Sequence, residues 1–178
     1  IDPNPWQPRQ RYTEIEELAE DIYSRRGARP ETYGLLQLPA VRIVDGDGEP
    51  IEVIDWENHE DISAWLDFHG YKAQLAYGHR RFEAFKHLAS SSNGRLVSYV
   101  HLPVEVNYFD DEEMAAVAWA ENTARKDLTA IEEAEAIQRM ITDFGWTQDK
   151  TAEKLSMARS TLANKLRLLK LPEDIRQS

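Results

Sequence analysis

Apolar positions along this chain recur at two spacings, and each spacing predicts a different kind of element. Ile15, Leu18, Ala19 and Ile22 share one helical face, with Thr13 as the expected N-cap and Glu16 three residues later. After Gly34 the apolar run Leu35–Val44 predicts a strand, ended by Asp45-Gly46-Asp47-Gly48. Residues 49–70 are acidic, carry Trp56 and Trp65, and predict a short helix near 60–68. Tyr71–Tyr77 alternates as a strand, and Gly78 then opens a helix through Leu88. Ser90–Gly94 reads as a loop, and Val100–Tyr108 as a third strand that contains Pro103. From Asp110 onward only the helical period remains, over 110–121, 129–144 and a final helix pair. Thr129 with Glu132 forms a capping box at the second of these. The expected fold class is α+β, a small mixed domain over 1–119 followed by an all-α domain over 120–178, joined near 120–128.

The final helix pair is the most specific local signal. Between Thr147 and Leu169 two short amphipathic helices flank a tight turn, the layout of a helix-turn-helix. With Gln148 as first position, Ala152 falls fifth, where only a small side chain lets the helices cross closely. Leu155, Met157 and Leu162 supply the apolar contacts of that crossing. Ser156 stands at the ninth position, usually glycine, so a less permissive residue must make the turn. Arg159, Ser160, Thr161, Asn164 and Arg167 are left to face outward. With Gln148 and Lys165 they are the candidate DNA contacts, and Lys170 is a further phosphate candidate. An ordinary helical hairpin is the alternative.

Charge sharpens this picture locally. The chain has 21 Lys+Arg against 32 Asp+Glu, a net charge of -11. Residues 120–178 hold ten of each sign, so the whole excess, 11 basic against 22 acidic, lies in 1–119. Within 150–170 six basic residues face one acid, Glu153, the electrostatic footprint of phosphate contact. Cysteine is absent, which excludes disulfides, zinc ribbons and thiol catalysis and fits a cytosolic protein. No stretch approaches the ~18 apolar residues of a membrane span. The start at Ile1 and the end at Ser178 suggest a piece of a longer protein.

Two further segments carry candidate chemistry. Gly78-His79-Arg80-Arg81 follows a strand and opens a helix. Glycine lets backbone N–H groups face an anion, the helix N-terminus adds partial positive charge, and two arginines add forked donors, which together suit a triphosphate. Glu121-Asn122, at the expected domain junction, offers two hard oxygen ligands suited to one Mg²⁺, with Arg125 a helical turn away.

The order of these segments resembles the ParB family of DNA-partition proteins. Five boxes recur in sequence: Ile1–Arg9, Gly34–Pro39, Tyr77–Ala84, the run from Glu121, and Phe144–Pro172. Only about 46–70 falls outside the likeness. The resemblance implies a sulfiredoxin-like front domain that binds CTP with Mg²⁺ and a helix-turn-helix that reads a palindromic centromere-like site. It also implies a homodimeric clamp on double-stranded DNA, a ParA-like ATPase partner engaged through segments outside this stretch, and a cytoplasmic, nucleoid- or plasmid-associated location. Leu36 and Gln37 match the cytosine box, Gly78, His79, Arg80 and Arg81 the phosphate turn, and Glu121 and Asn122 the Mg²⁺ and phosphate pair beside Arg125. His79 replaces the family's usual glutamate, Glu83 stands where a third basic residue is usual, and 46–70 lengthens a normally short hairpin. Slow CTP hydrolysis is left open.

Two other readings use the same residues. One is a ParB-like transcription or nucleoid regulator without nucleotide switching. The other is a Mg²⁺-dependent nuclease built on Arg80-Arg81 and Glu121-Asn122, for which no general base is evident. Trp56, Trp65 and Trp119 are expected in the core, and His59, His69, His87 and His101 lack metal-ligand spacing.

Overall fold

A computed structural model describes residues 1–7, 12–52, 62–91, 101–123 and 128–172. Among the described residues twelve elements are found, and the chain divides into two compact units, one of Ile1–Pro3 with Arg11–Phe109, the other of Asn4–Gln10 with Asp110–Ser178. The division falls between Phe109 and Asp110, ten residues before the boundary expected at 119/120. The reason is packing: Ala115 and Trp119 belong to the same core as Ile137, Met140 and Trp146.

The first unit is a small sheet with helices. Its central strand β1 (Ala40–Val44) is buried along its whole length. It pairs antiparallel with β2 (Pro50–Ile51) and β3 (Lys72–Tyr77), and parallel with β4 (Glu105–Val106). Helices α1 (Ile15–Arg25) and α3 (His79–Ser91) pack through Ala19, Ile22, Ala84, Phe85 and Leu88. Val41, Ile43, Leu75 and Leu66 of α2 (Ile62–His69) form a second core cluster. Arg42 is only 2% exposed, and its Nε donates to Gln74 Oε1 at 2.9 Å while Nη1 donates to the Phe109 carbonyl at 3.2 Å.

Two strands, β1 and β4, are shorter than their apolar runs. The strand expected over Leu35–Val44 begins only at Ala40, because the Thr32 hydroxyl and carbonyl bond the Leu35 backbone and Leu36 is 63% exposed. The strand expected over Val100–Tyr108 contracts to Glu105–Val106, with Val100 outside the described residues. Pro103 has no N–H for the ladder, which starts where Glu105 N–H reaches the Pro39 carbonyl at 2.9 Å. Helix α1 is not capped by Thr13. Its N-cap is Glu14, left-handed at φ 58, and Arg80 Nη2 takes the Thr13 carbonyl instead. Helix α3 continues past Leu88, so Ser90 is helical rather than loop, while 92–94 lie outside the described residues. The insertion is described at 46–52 and 62–70, and Trp56 and His59 fall between these stretches.

The second unit is wholly helical: α4 (Asp111–Thr123), α5 (Ala130–Phe144), α6 (Gln148–Lys154) and α7 (Arg159–Leu168). The Thr129 capping box is present, with both reciprocal bonds formed. Gly145 ends α5 at φ 61, and Thr147 then caps α6 by accepting from Lys150 N–H at 3.2 Å. The N-terminal arm docks on this unit. Asn4 Nδ2 donates to the Met114 carbonyl at 3.0 Å, and the Trp6 ring lies 5.4 Å from Phe144.

Candidate nucleic-acid interface and anion turn

The α6–α7 pair has the crossing that its sequence requires. Ala152 is 5% exposed, Leu155 and Leu162 are buried, and Met157 packs against the same core. The turn is a Schellman motif: Met157 N–H bonds the Ala152 carbonyl at 2.9 Å and Ser156 N–H bonds the Glu153 carbonyl at 3.1 Å. Ser156 takes the left-handed conformation at φ 51 that glycine would adopt more cheaply. Arg159, Ser160, Thr161, Asn164 and Arg167 are all exposed on α7, and Gln148 is exposed at the start of α6. The α7 residues among them make up its solvent-exposed side.

Most of the expected basic stripe is internally paired. Glu112 of α4 holds Lys150 at 3.0 Å and Lys154 at 2.8 Å, and accepts from Trp146 Nε1 at 2.9 Å. The Lys154 ammonium, then the Trp146 and Lys150 donors, hold the Glu112 carboxyl down to about 2. Arg159 faces Asp149 at 3.1 Å. Lys165, expected to point at phosphate, is half-buried and ion-paired with Glu133 of α5, because the helical turn that buries Leu162 also brings position 165 toward α5. Arg167 and Lys170 are exposed and have no ion pair among the described residues.

In the first unit, β3 runs into Gly78 at φ +92 and α3 starts at the next residue. A Cβ at Gly78 would lie 2.9 Å from Pro39 Cβ and 3.0 Å from Pro39 Cα, so the turn tolerates no side chain. The first helical bond is Phe82 N–H to the Gly78 carbonyl, and no acidic residue occupies the first turn of α3. Arg80 Nη2 sits 3.2 Å from Glu14, while its buried Nε has no hydrogen-bond acceptor. A buried charged donor without an acceptor is costly, and an anion at this turn would supply one. Arg81 Nη1 donates to the carbonyls of Gln37 at 2.8 Å and Leu38 at 3.0 Å, which brings the expected cytosine box against the phosphate turn. Leu36 and Gln37 are exposed there. The His79 imidazole does not join them: it is 3% exposed and stacks on Tyr12 at 6.2 Å. Glu83 pairs with Lys86 at 3.0 Å. The cradle and the orphaned Nε fit a phosphate-type group.

Glu121 and Asn122 lie in the last turn of α4, in the helical unit. Asn122 is 5% exposed, and its Nδ2 donates to the Ala118 carbonyl at 2.7 Å and to Gln7 Oε1. The pair is a set of hard oxygens of the kind that Mg²⁺ takes. Arg125 lies outside the described residues. No group of three or more His, Asp or Glu gathers among the described residues, and none of their helices is long and apolar enough to cross a membrane. Sequence reasoning missed Glu112, which lies in a segment expected only to be helical. It also missed the docking of the Asn4–Gln7 arm. Neither has a local signal, since Glu112 meets Lys150 across 38 positions and Asn4 meets Met114 across 110.

A mixed α/β unit with a glycine-arginine turn, followed in the chain by a helical unit with a helix-turn-helix, is the architecture of a two-part DNA-partition type protein. The family model described as the ParB HTH domain matches residues 126–178. The nucleoid occlusion protein of Halalkalibacterium halodurans is 35% identical over 170 residues, covering 89% of this chain and 56% of that protein. That of Bacillus cereus is 36% identical over 180 residues, covering 100% and 48%. The chain thus spans about half the length of these curated relatives. A crystal structure of the C-terminally truncated chromosome-partitioning protein ParB of Caulobacter crescentus, complexed to the centromeric parS site, matches at a TM-score of 0.55 and 25% identity. It covers 99% of this chain and 71% of that one. The chain belongs to the ParB family.

Proposed function

We propose that this chain is the nucleotide-responsive, sequence-specific DNA-binding part of a ParB-family partition or nucleoid-occlusion protein. The observation that carries this is the exposed row on α7, presented by a Schellman turn, in a chain similar to a protein solved on parS DNA. Arg159 and Asn164 have the side chains that read guanine and adenine edges in a major groove. Arg167 and Lys170, both exposed, would meet phosphates, and Gln148, Ser160 and Thr161 would offer neutral hydrogen bonds that fix register. The site would be an inverted repeat bound by a homodimer, since two-fold protein symmetry is mirrored in the operator. A ParA-like ATPase is the proposed partner of segments outside this chain.

The nucleotide is CTP with Mg²⁺ in this reading. Gly78 lets the backbone approach the triphosphate, Arg80 Nε donates to it, and Arg81, by holding the Gln37 and Leu38 carbonyls, leaves Leu36 and Gln37 for the base. Glu121 and Asn122 would supply metal oxygens, with Arg125, close to them in sequence, as a further phosphate candidate. When bound, the Mg²⁺ neutralises phosphate charge. His79 contributes through its backbone rather than its imidazole. Isothermal titration across CTP, ATP, GTP and UTP tests the class, and Arg80→Ala tests the site. Loss of a charge-assisted donor should weaken binding by about 2–3 kcal/mol, roughly 30- to 150-fold. Equal affinity in Arg80→Ala would remove the site assignment. No heat with any nucleotide would favour the regulator reading, and selection of unrelated, non-palindromic DNA would overturn the DNA reading.

A further inference from the structure

The first residue of α7 is an arginine with a carboxylate set against it from α6. Asp149 is the second residue of α6, and its Oδ1 lies 3.1 Å from Arg159 Nε. Arg159 is 68% exposed and Asp149 66%, so the pair sits on the surface that the exposed α7 row defines. We propose that Asp149 is a specificity-determining residue, which positions the Arg159 guanidinium for a guanine edge and suppresses its use as a phosphate contact. This rests on the DNA-reading function proposed for α7.

Three observations support that assignment. Arginine at a helix N-terminus is disfavoured by the dipole, and α7 has no compensating cap: Ala158 is the N-cap, without a side-chain bond, and no acidic residue lies in the first turn. Asp149 supplies the missing negative charge from the neighbouring helix. The carboxylate lies nearest Nε, in an ion pair without hydrogen-bond geometry, and no described residue hydrogen-bonds the two Nη atoms. Those two nitrogens are the donors that form a fork to guanine O6 and N7. Finally, Asp149 brings a negative charge to the surface meant for DNA. It penalises every contact in which Arg159 merely meets a phosphate, while a guanine edge, which carries no net charge, is penalised far less. Attraction to the wanted partner and repulsion of the unwanted one then reside in one side chain, the pattern expected of specificity.

The geometry of the helix-turn-helix makes the pairing stable in direction though weak in energy. The Schellman turn at Ser156 fixes α6 against α7, and buried Ala152 and Leu162 hold the crossing. Asp149 therefore stays beside Arg159 without the pair needing to hold the helices together. An exposed ion pair of this kind contributes little to folding. Its effect falls on which orientation the guanidinium adopts before DNA arrives, which is where pre-organisation acts.

The test uses the whole chain and compares wild type with Asp149→Ala, Asp149→Glu and Arg159→Ala. Sites are selected from a randomised duplex library, and affinity is then measured on the selected site, on a variant with its most discriminated guanine replaced, and on random duplex. Asp149→Ala should lose about tenfold in guanine discrimination at that one position. Its affinity for random duplex should rise or stay level, and its melting temperature should not move. Asp149→Glu should restore part of the discrimination, and Arg159→Ala should abolish it at the same position. Unchanged guanine discrimination in Asp149→Ala would overturn the proposal, as would a uniform gain on all duplexes with the selectivity ratio intact. Failure of wild type to select any site would instead overturn the parent reading.

Discussion

Replacing Glu112 by glutamine probes the charge design of the helical unit with little change of shape. The wild-type carboxylate accepts from Lys154, Trp146 and Lys150, which holds its pKa from the ordinary 4.5 down to about 2. At about 1.36 kcal/mol per pKa unit, the ceiling on the coupled stability is about 3 kcal/mol. Solvent lowers that figure. Glu112 is 31% exposed and its lysine partners 46% and 40%, and exposed pairs contribute only about 0.2–1 kcal/mol each. A loss of about 1–2 kcal/mol at pH 7 is therefore expected for Glu112→Gln, which keeps an oxygen for Trp146. A depressed folded-state pKa gives stability that is fully present above the unfolded value near 4.5 and lost as pH falls through about 2. By pH 3 the gap between wild type and variant should have shrunk to about 40% of its pH 7 value. Urea unfolding of the whole chain, followed by tryptophan fluorescence from pH 7 to pH 3, measures both quantities. No gap at pH 7, or a gap that stays constant across the range, would refute the reasoning.

Three further outcomes follow from other residues. Ser156→Gly should stabilise the chain by about 0.5–1 kcal/mol in the same unfolding assay, because glycine adopts φ > 0 without the steric cost that serine meets. Lys170→Ala should reduce the slope of log affinity against log salt by about 0.9, whereas Lys165→Ala should change stability more than slope, since Lys165 is already paired with Glu133. Gly78→Ala should destabilise the first unit and abolish nucleotide heat in titration, because its Cβ would meet Pro39.

The features that local chemistry determines were legible in the sequence. The capping box at Thr129, the unusual turn at position 156 and the strand-Gly-Arg-Arg-helix turn each depend on a few adjacent residues. Strand ends were not, because a ladder begins where a partner carbonyl is available. The Pro39 carbonyl, not the apolar run before it, sets the start of pairing with Glu105. The Thr13 cap failed because the helix starts one residue later, behind Glu14 in the left-handed conformation at φ 58. At the anion turn, residue types predicted the backbone but not which side chains face it. Successive positions on a helix point about 100° apart, so His79 turns inward onto Tyr12 while its neighbour Arg80 reaches Glu14.

Charge shows most clearly what composition alone conceals. Six basic residues between 150 and 170 predict a strong, indiscriminate pull on phosphates, yet Lys150, Lys154, Arg159 and Lys165 each face a carboxylate within their own unit. All three of the carboxylates, Glu112, Glu133 and Asp149, lie outside that window, so counting charge within it overstates the field. Phosphate attraction supplies most non-specific affinity, and neutralising it from within lowers that background more than it lowers contacts to base edges. The net charge of -11 acts in the same direction by repelling any duplex that lacks compensating contacts. On the proposed reading, sequence discrimination in such a chain would rest on a few side chains on α7, whose orientation would matter more than their number.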